Sequence, residues 1–371
     1  MKTDDLLYKV ALTMIPDIGA ITAKKLIAYT GSPEAVFRER SHHLLKIPGI
    51  GEGLARRIEP KRILPAAEKE VRRIEKEQIG YFYYQDRDYP ERLKNCDDGP
   101  VLLFHRGNPG LNAAKILSVV GTRSATPYGR EVCESIVASL AARHPELVIV
   151  SGLAYGIDII AHRAALENRL ETVGVMAHGL TTVYPYMHRD TARKMLKRGG
   201  LVTDFHTMVK PERNNFLRRN RLIAGLADAT LIIESARRGG ALITAGLASS
   251  YNRDVLAVPG RIGDSTSAGC NQLIRQNIAA LTETARDIEY VLNWQPRETE
   301  HEPSPTLKIP LTEEEQSILE NIRDDPMIGQ DILAVRTGLP VHILMARLLS
   351  MELQGWIMVF PGNRYKLKVT L

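Results

Sequence analysis

Cysteine is scarce: Cys96, Cys133 and Cys270 are the only three among 371 residues, and they lie far apart. An odd number with no CxxC pair excludes both a disulfide framework and a structural zinc site, so the thiols read as buried. Long apolar runs are missing as well. None approaches the roughly 20 residues a membrane helix needs, and the start Met1-Lys-Thr-Asp-Asp5 carries acids where a signal peptide carries positive charge. The expectation is a cytoplasmic protein with no membrane partner. Two signatures of chemistry are also absent. No GxGxxG turn with a following ribose-binding acid occurs, and no GxSxG elbow exposes a serine, so no dinucleotide or other cofactor is expected.

What is present is a mild basic excess. Lysine and arginine number 49 against 43 acids, a formal net charge of +6. That fits an anionic partner, nucleic acid among the candidates, but equally fits solubility alone. The length suits two to three domains, and 44% hydrophobic residues are enough for at least one large core.

Residues 1–80 show helical periodicity and an internal repeat. Ile15-Pro-Asp-Ile-Gly19 before Thr22-Ala-Lys-Lys-Leu-Ile27 is echoed 32 residues later by Ile47-Pro-Gly-Ile-Gly51 before Leu54-Ala-Arg-Arg-Ile58. Each copy predicts helix, glycine turn, helix. The pair resembles helix-hairpin-helix motifs of a SAM-like module, whose open helix starts meet phosphates; it also fits a small packing unit. After a charged helix over 66–78, residues 81–110 read as an irregular Pro/Gly/Asp-rich connector. From 115 to 294, apolar strands alternate with helices, as in a parallel sheet covered on both faces. Six strands are predicted, over 116–120, 147–150, 172–176, 201–203, 230–234 and 254–258. The expected fold class is therefore α/β: a Rossmann-like doubly wound domain over 81–294, flanked by the helical module. A polar, proline-rich linker is expected over 295–310. Residues 311–371 predict three helices and a hairpin, the order of a winged helix. Its candidate recognition helix, 341–353, holds only His342 and Arg347 as cations against Glu352, a poor balance for reading a groove.

Ligands of open parallel sheets sit at the carboxyl ends of the strands. Almost every such loop here carries glycine with arginine, hydroxyl or tyrosine. Gly121-Thr-Arg123 follows the first strand, Ser151-Gly152 the second, and Arg238-Gly-Gly240 the fifth. Phe216-Leu-Arg218-Arg-Asn220-Arg221 lies between the fourth and fifth strands and is predicted to project from a turn and the first turns of a helix. There, backbone N–H groups and the helix dipole would reinforce the guanidinium charge. A row of such loops suits a polyanion that follows the sheet edge, with Tyr155, Tyr184, Tyr186 and Phe216 available to stack on bases. A hydrolytic triad of Ser151, Asp158 and His162 is disfavoured, because the acid and the imidazole share one helix.

These segments, with Tyr184-Pro185, Gly240-Ala-Leu-Ile-Thr-Ala245 and Ala257-Val-Pro-Gly260, resemble the DNA-processing protein A family, also called Smf. The resemblance runs through the whole Rossmann-like domain in order and extends to both flanking modules. It implies a protein without enzymatic activity that binds and protects incoming single-stranded DNA in natural transformation. It also implies loading of the RecA recombinase and a homodimer formed through the Rossmann-like domain. The family's binding residues carry over to Arg123, Arg218, Asn220 and Arg221. The lysine common after Tyr-Pro in the family is missing, and Arg189 is the expected replacement. The candidate DNA-binding set is Gly121, Thr122, Arg123, Ser151, Gly152, Arg189, Phe216, Arg218, Asn220, Arg221, Gly239 and Gly240. Competing readings are a phosphoribohydrolase of the lysine-decarboxylase-like group, whose PGGxGT turn is not matched here, and a winged-helix binder of duplex DNA.

Overall fold

The computed structural model describes residues 2–296 and 311–368. The linker expected over 295–310 lies, from 297 onward, outside the described residues. The chain divides into two compact units, 1–298 and 299–371.

The first unit is built on a nine-stranded sheet. Its strands are β1 (Gly80–Tyr83), β2 (Leu102–Gly107), β3 (Ile116–Val120), β4 (Val148–Ser151), β5 (Glu171–Val175), β6 (Gly199–Thr203), β7 (Ala229–Ile232), β8 (Asp254–Ala257) and β9 (Ala280–Leu281), in the order β1-β2-β6-β5-β4-β3-β7-β8-β9. From β6 to β9 all neighbours are parallel, and β1 and β2 add an antiparallel edge. The six predicted strands are all present. The connector expected over 81–110 is corrected, because it supplies most of β1 and all of β2. Aromatic and apolar side chains in Tyr81-Phe-Tyr-Tyr84 and Val101-Leu-Leu-Phe104 favour a pleated, half-buried edge despite the proline and glycine between them.

Strand alternation divides the core. Leu117 and Val119 pack with helices Pro127–Arg143, Ile157–Glu167 and Ala285–Leu292 on one face. Ile116 and Val120 pack with Arg213–Gly225, Gly240–Ser250 and Ala268–Arg275 on the other. Strands β3 to β6 step outward to one side; the chain then returns past β3 to place β7 on its other flank. The reversal opens a crevice at the carboxyl ends of β3 and β7.

Six helices precede the sheet, from Lys2–Thr13 to Pro60–Lys76. The residue that takes left-handed backbone in each repeat is the middle one, Asp17 at φ 59° and Gly49 at φ 86°. Gly19 and Gly51 instead stand extended at the starts of the following helices. These helices share one core with Leu102, Phe104, Met176, Met195 and Leu201. A polar tie reinforces the contact. The buried Glu70 carboxylate accepts the Thr207 backbone N–H at 2.6 Å and its hydroxyl at 2.7 Å, in the loop after β6.

The second unit has helices Glu313–Asp324, Gln330–Thr337 and Val341–Leu353 and a three-stranded sheet, β10 (Ile328–Gly329), β11 (Ile357–Phe360) and β12 (Arg364–Leu367), in the order β10-β12-β11. Leu344, Leu348 and Met351 of the last helix face its core, whereas Val341, Met345, Leu349 and Leu353 are exposed. Among the described residues no single helix is long and apolar enough to cross a membrane.

Replacing Glu70 by alanine leaves the Thr207 donors unsatisfied inside the unit. A loss of about 2–4 kcal/mol in urea denaturation is expected, whereas a tie of no consequence would leave the midpoint unchanged.

Candidate nucleic-acid interface

The crevice at the strand reversal holds a cleft of about 540 Å³. Gly121, Thr122 and Arg123 form one wall after β3. Ser235, Gly239 and Gly240 form another after β7, and Phe216, Arg219 and Asn220 face in from helix Arg213–Gly225.

Each wall is held by its neighbours. The Thr122 N–H donates to the Glu234 carbonyl at 2.7 Å, and the buried Glu234 carboxylate accepts from the Thr126 backbone (2.9 Å) and hydroxyl (2.6 Å). That carboxylate occupies the space a Cβ on Gly129 would need. Gly156 sits at φ 74°, and a Cβ there would overlap the Thr122 carbonyl, so only glycine fits. The 121–123 loop is thus braced on both sides by Glu234 and Gly156. Helix Gly240–Ser250 starts in the cleft with Gly239 as an extended N-cap, so its first-turn N–H groups and dipole add positive potential there.

Arg219 anchors the floor. It is 3% exposed and donates to the carbonyls of Gly152 (2.6 Å) and Val175, at the ends of two adjacent strands. Gly152 lies against both its guanidinium and the Asp158 carboxylate, with no room for a Cβ. Burial pulls the Arg219 pKa down to about 10, with Asp158 raising it and Arg123 lowering it, so it stays charged at neutral pH. The same burial raises the Asp158 pKa against the pull of Arg219.

Above this floor Phe216 lies between two guanidinium groups, Arg123 at 5.3 Å and Arg219 at 5.9 Å from its ring centre, with Tyr184 tilted against it at 6.0 Å. Arg123 is exposed, as is Arg213 at the start of the helix, and neither forms an ion pair among the described residues. Both are available to an anion.

The basic run at 218–221 is not one cluster. Its helix begins at Arg213 after the N-cap Glu212, so these residues sit mid-helix, away from the free N–H groups expected beside them. Consecutive helical side chains diverge by about 100°. Asn220 therefore faces the cleft and Arg219 its floor. Arg218 points to a separate groove beside the first helical hairpin, over the Phe205 ring at 5.2 Å. Arg221 turns inward, pairing with Asp204 and donating to the Asp98 carbonyl. Burial opposes its charge, but Asp204 and Asp98 outweigh it and hold its pKa above the usual value. The expected joint phosphate grip of Arg218, Asn220 and Arg221 is corrected accordingly.

Other expected residues also separate. Gly121, Thr122, Arg123, Phe216, Asn220, Gly239 and Gly240 meet in the cleft. Ser151 is buried and donates to the Val119 carbonyl at 2.6 Å, and Gly152 is buried beneath the floor. Arg189 lies outside the cleft wall, its guanidinium 4.2 Å over the Tyr186 ring and 3.7 Å from Asp190. Arg213 and Thr244 line the cleft without having been expected there. Placing the helix start at Arg213 would have found the first; Thr244, one turn into an apolar helix, carries no signal of its own. His162 is fully buried, engaged at Nδ1 with the Thr172 hydroxyl at 2.7 Å. With Ser151 committed elsewhere, no serine–histidine pair forms.

The family model described as DNA recombination-mediator protein A matches residues 80–293, the whole of this sheet. The chain belongs to that family. The DprA winged helix domain matches residues 302–363. Among relatives, protein Smf of Escherichia coli (strain K12) is 36% identical over 288 residues, 76% of this chain and 75% of its own. The X-ray structure of DNA processing protein A from Streptococcus pneumoniae is 30% identical, covers 76% of this chain and 97% of that one, and superposes with a TM-score of 0.66. A Helicobacter pylori DNA processing protein A structure, described for its single-stranded DNA binding mode, is 26% identical, covers 58% and 96% of the two chains, and has a TM-score of 0.52. In this member of the recombination-mediator family, the family model thus spans the sheet whose strand reversal opens the cleft.

Two outcomes follow from the buried groups. Arg219→Ala removes the clamp on two strand ends and leaves Asp158 buried without its counter-charge, so it should cost about 3–5 kcal/mol of stability; a denaturation midpoint equal to the parent would refute the anchoring role. Burial lowers the His162 pKa from 6.5 to about 3, with Arg219 and His188 acting in the same direction. The unfolded imidazole takes a proton below pH 6.5 and the folded one does not until about pH 3, so unfolding consumes a proton in that window. Stability should fall as pH drops through it, and His162→Gln should flatten the slope by about one proton. Parallel stability–pH curves for the two proteins would contradict this.

Proposed function

We propose that the chain is a single-stranded DNA-binding recombination mediator, with no chemistry performed on the strand. The observation that carries this reading is the cleft at the strand reversal. A braced glycine loop, two exposed guanidinium groups without an ion pair among the described residues, an open helix start and an aromatic ring converge there, a set suited to phosphates and an unpaired base together. Gly121, Thr122, Arg123, Phe216, Asn220, Gly239 and Gly240 are the proposed contacts, joined by Arg213. Family membership supports a task in DNA processing, and we assign to it protection of incoming single strands in natural transformation and loading of a RecA-type recombinase in the cytoplasm. A homodimer through the Rossmann-like domain belongs to the same reading. Ile243, Ile278 and Leu281, apolar and exposed around helix Gly240–Ser250 and β9, are the side chains such a contact would cover. The commitment of Ser151 and His162 to internal hydrogen bonds supports a binding role over hydrolysis.

Binding of a labelled oligo-dT at increasing salt tests the proposal. Each phosphate neutralised contributes about 0.7 to the log–log slope. Arg123→Ala should weaken affinity about 10- to 100-fold at low salt, whatever the sequence, and reduce the slope by about that increment. Salt-independent affinity, or unaltered binding by Arg123→Ala, would refute it; release of free base from a nucleoside monophosphate by pure protein would establish an enzyme instead.

A further inference from the structure

Beside the cleft, two loops leave large apolar side chains in water. Tyr155, after β4, is 43% exposed; Tyr184, Tyr186 and Met187, after β5, are 47%, 70% and 65% exposed. Rings of this size gain by burial, and a group of them on two adjacent strand ends marks a contact surface.

The arrangement is ordered. Tyr184 belongs to the cleft wall and rests against Phe216 at 6.0 Å. Tyr155 stands edge-on to His188 at 5.2 Å, and His188 is buried and bonded to the Leu153 carbonyl at 2.9 Å. Between Tyr184 and His188 comes Tyr186, opening a short 3-10 turn that ends at His188. The Arg189 guanidinium covers one face of the Tyr186 ring at 4.2 Å. A ring that is 70% exposed while one face carries a guanidinium has its other face open. The cation restrains the ring, which lowers the ordering cost of a stacked partner, and places a positive charge beside whatever stacks there.

We infer that Tyr186, backed by Arg189, is a stacking platform for an unpaired base next to the one held in the cleft. The inference rests on the proposed single-strand reading and deepens it, since it assigns base contact, not phosphate contact, to the rim. A flat open π-face accepts any base, so the platform adds affinity without sequence preference. A duplex keeps its bases stacked internally and offers none to the ring, so the platform favours single strands.

The experiment compares dT20 with a strand of equal length and charge carrying abasic sites throughout, using the full chain, Tyr186→Ala and Tyr186→Phe, with thermal melts to confirm folding. Tyr186→Ala should lose about 5- to 100-fold on dT20 and less than about twofold on the abasic strand, and Tyr186→Phe should bind dT20 as the parent does. Equal dT20 affinity in Tyr186→Ala overturns the platform and leaves the patch to a protein partner. An equal loss on both strands overturns it in favour of a phosphate contact. If the parent protein itself fails to bind dT20, the single-strand reading fails, a result distinct from either of these.

Discussion

The structure of the candidate site depends on one buried cation. Arg219 joins a helix on one face of the sheet to carbonyls at the carboxyl ends of β4 and β5, and it does so within a low-dielectric interior where an uncompensated charge is costly. Asp158 lies against the same Gly152, where a Cβ would overlap both groups, and its charge opposes the effect of burial on Arg219. This fixes the distance of helix Arg213–Gly225 from the strand ends, and hence the width of the cleft. It also sets the helix rotation, which brings Phe216 and Asn220 inward.

A division of labour among like residues follows. Arginines 218, 219 and 221 are chemically the same side chain, yet one is solvent-facing, one holds the floor, and one is neutralised by Asp204. Within the cleft the cations that are exposed and without an ion pair among the described residues are Arg123 and Arg213, whereas Arg218 faces a separate groove and Arg221 is paired inside, so the denser run offers the cleft less charge than its letters suggest. The loop bearing Arg123 is braced by Glu234 and Ile157, so little conformational freedom remains to be lost on binding.

The parallel sheet was readable because strands buried on both faces are short apolar runs, and β3 and β7 begin where those runs begin. The edge strands β1 and β2 were not, since proline and glycine between them mimic a loop and only the pairing of β2 with β6, and of β1 with β2, makes them strands. Within the site, the loops at 121–123 and 239–240 were legible from glycine beside strand ends. The error lay in the helix boundary: an expected start near Phe216 made a mid-helix run look like a capped turn.

The sequence by itself determined the alternation of strands and helices, the helical character of the first 80 residues, the winged-helix order and the family, because these rest on local periodicity and on residue types in sequence. Tertiary structure alone decided which cations are free. Ion pairing and burial are set by residues far along the chain: Arg221 meets Asp98 and Asp204, and Arg219 meets Gly152 and Val175. A run of basic letters shows how much charge is present; only the fold shows which of it faces outward.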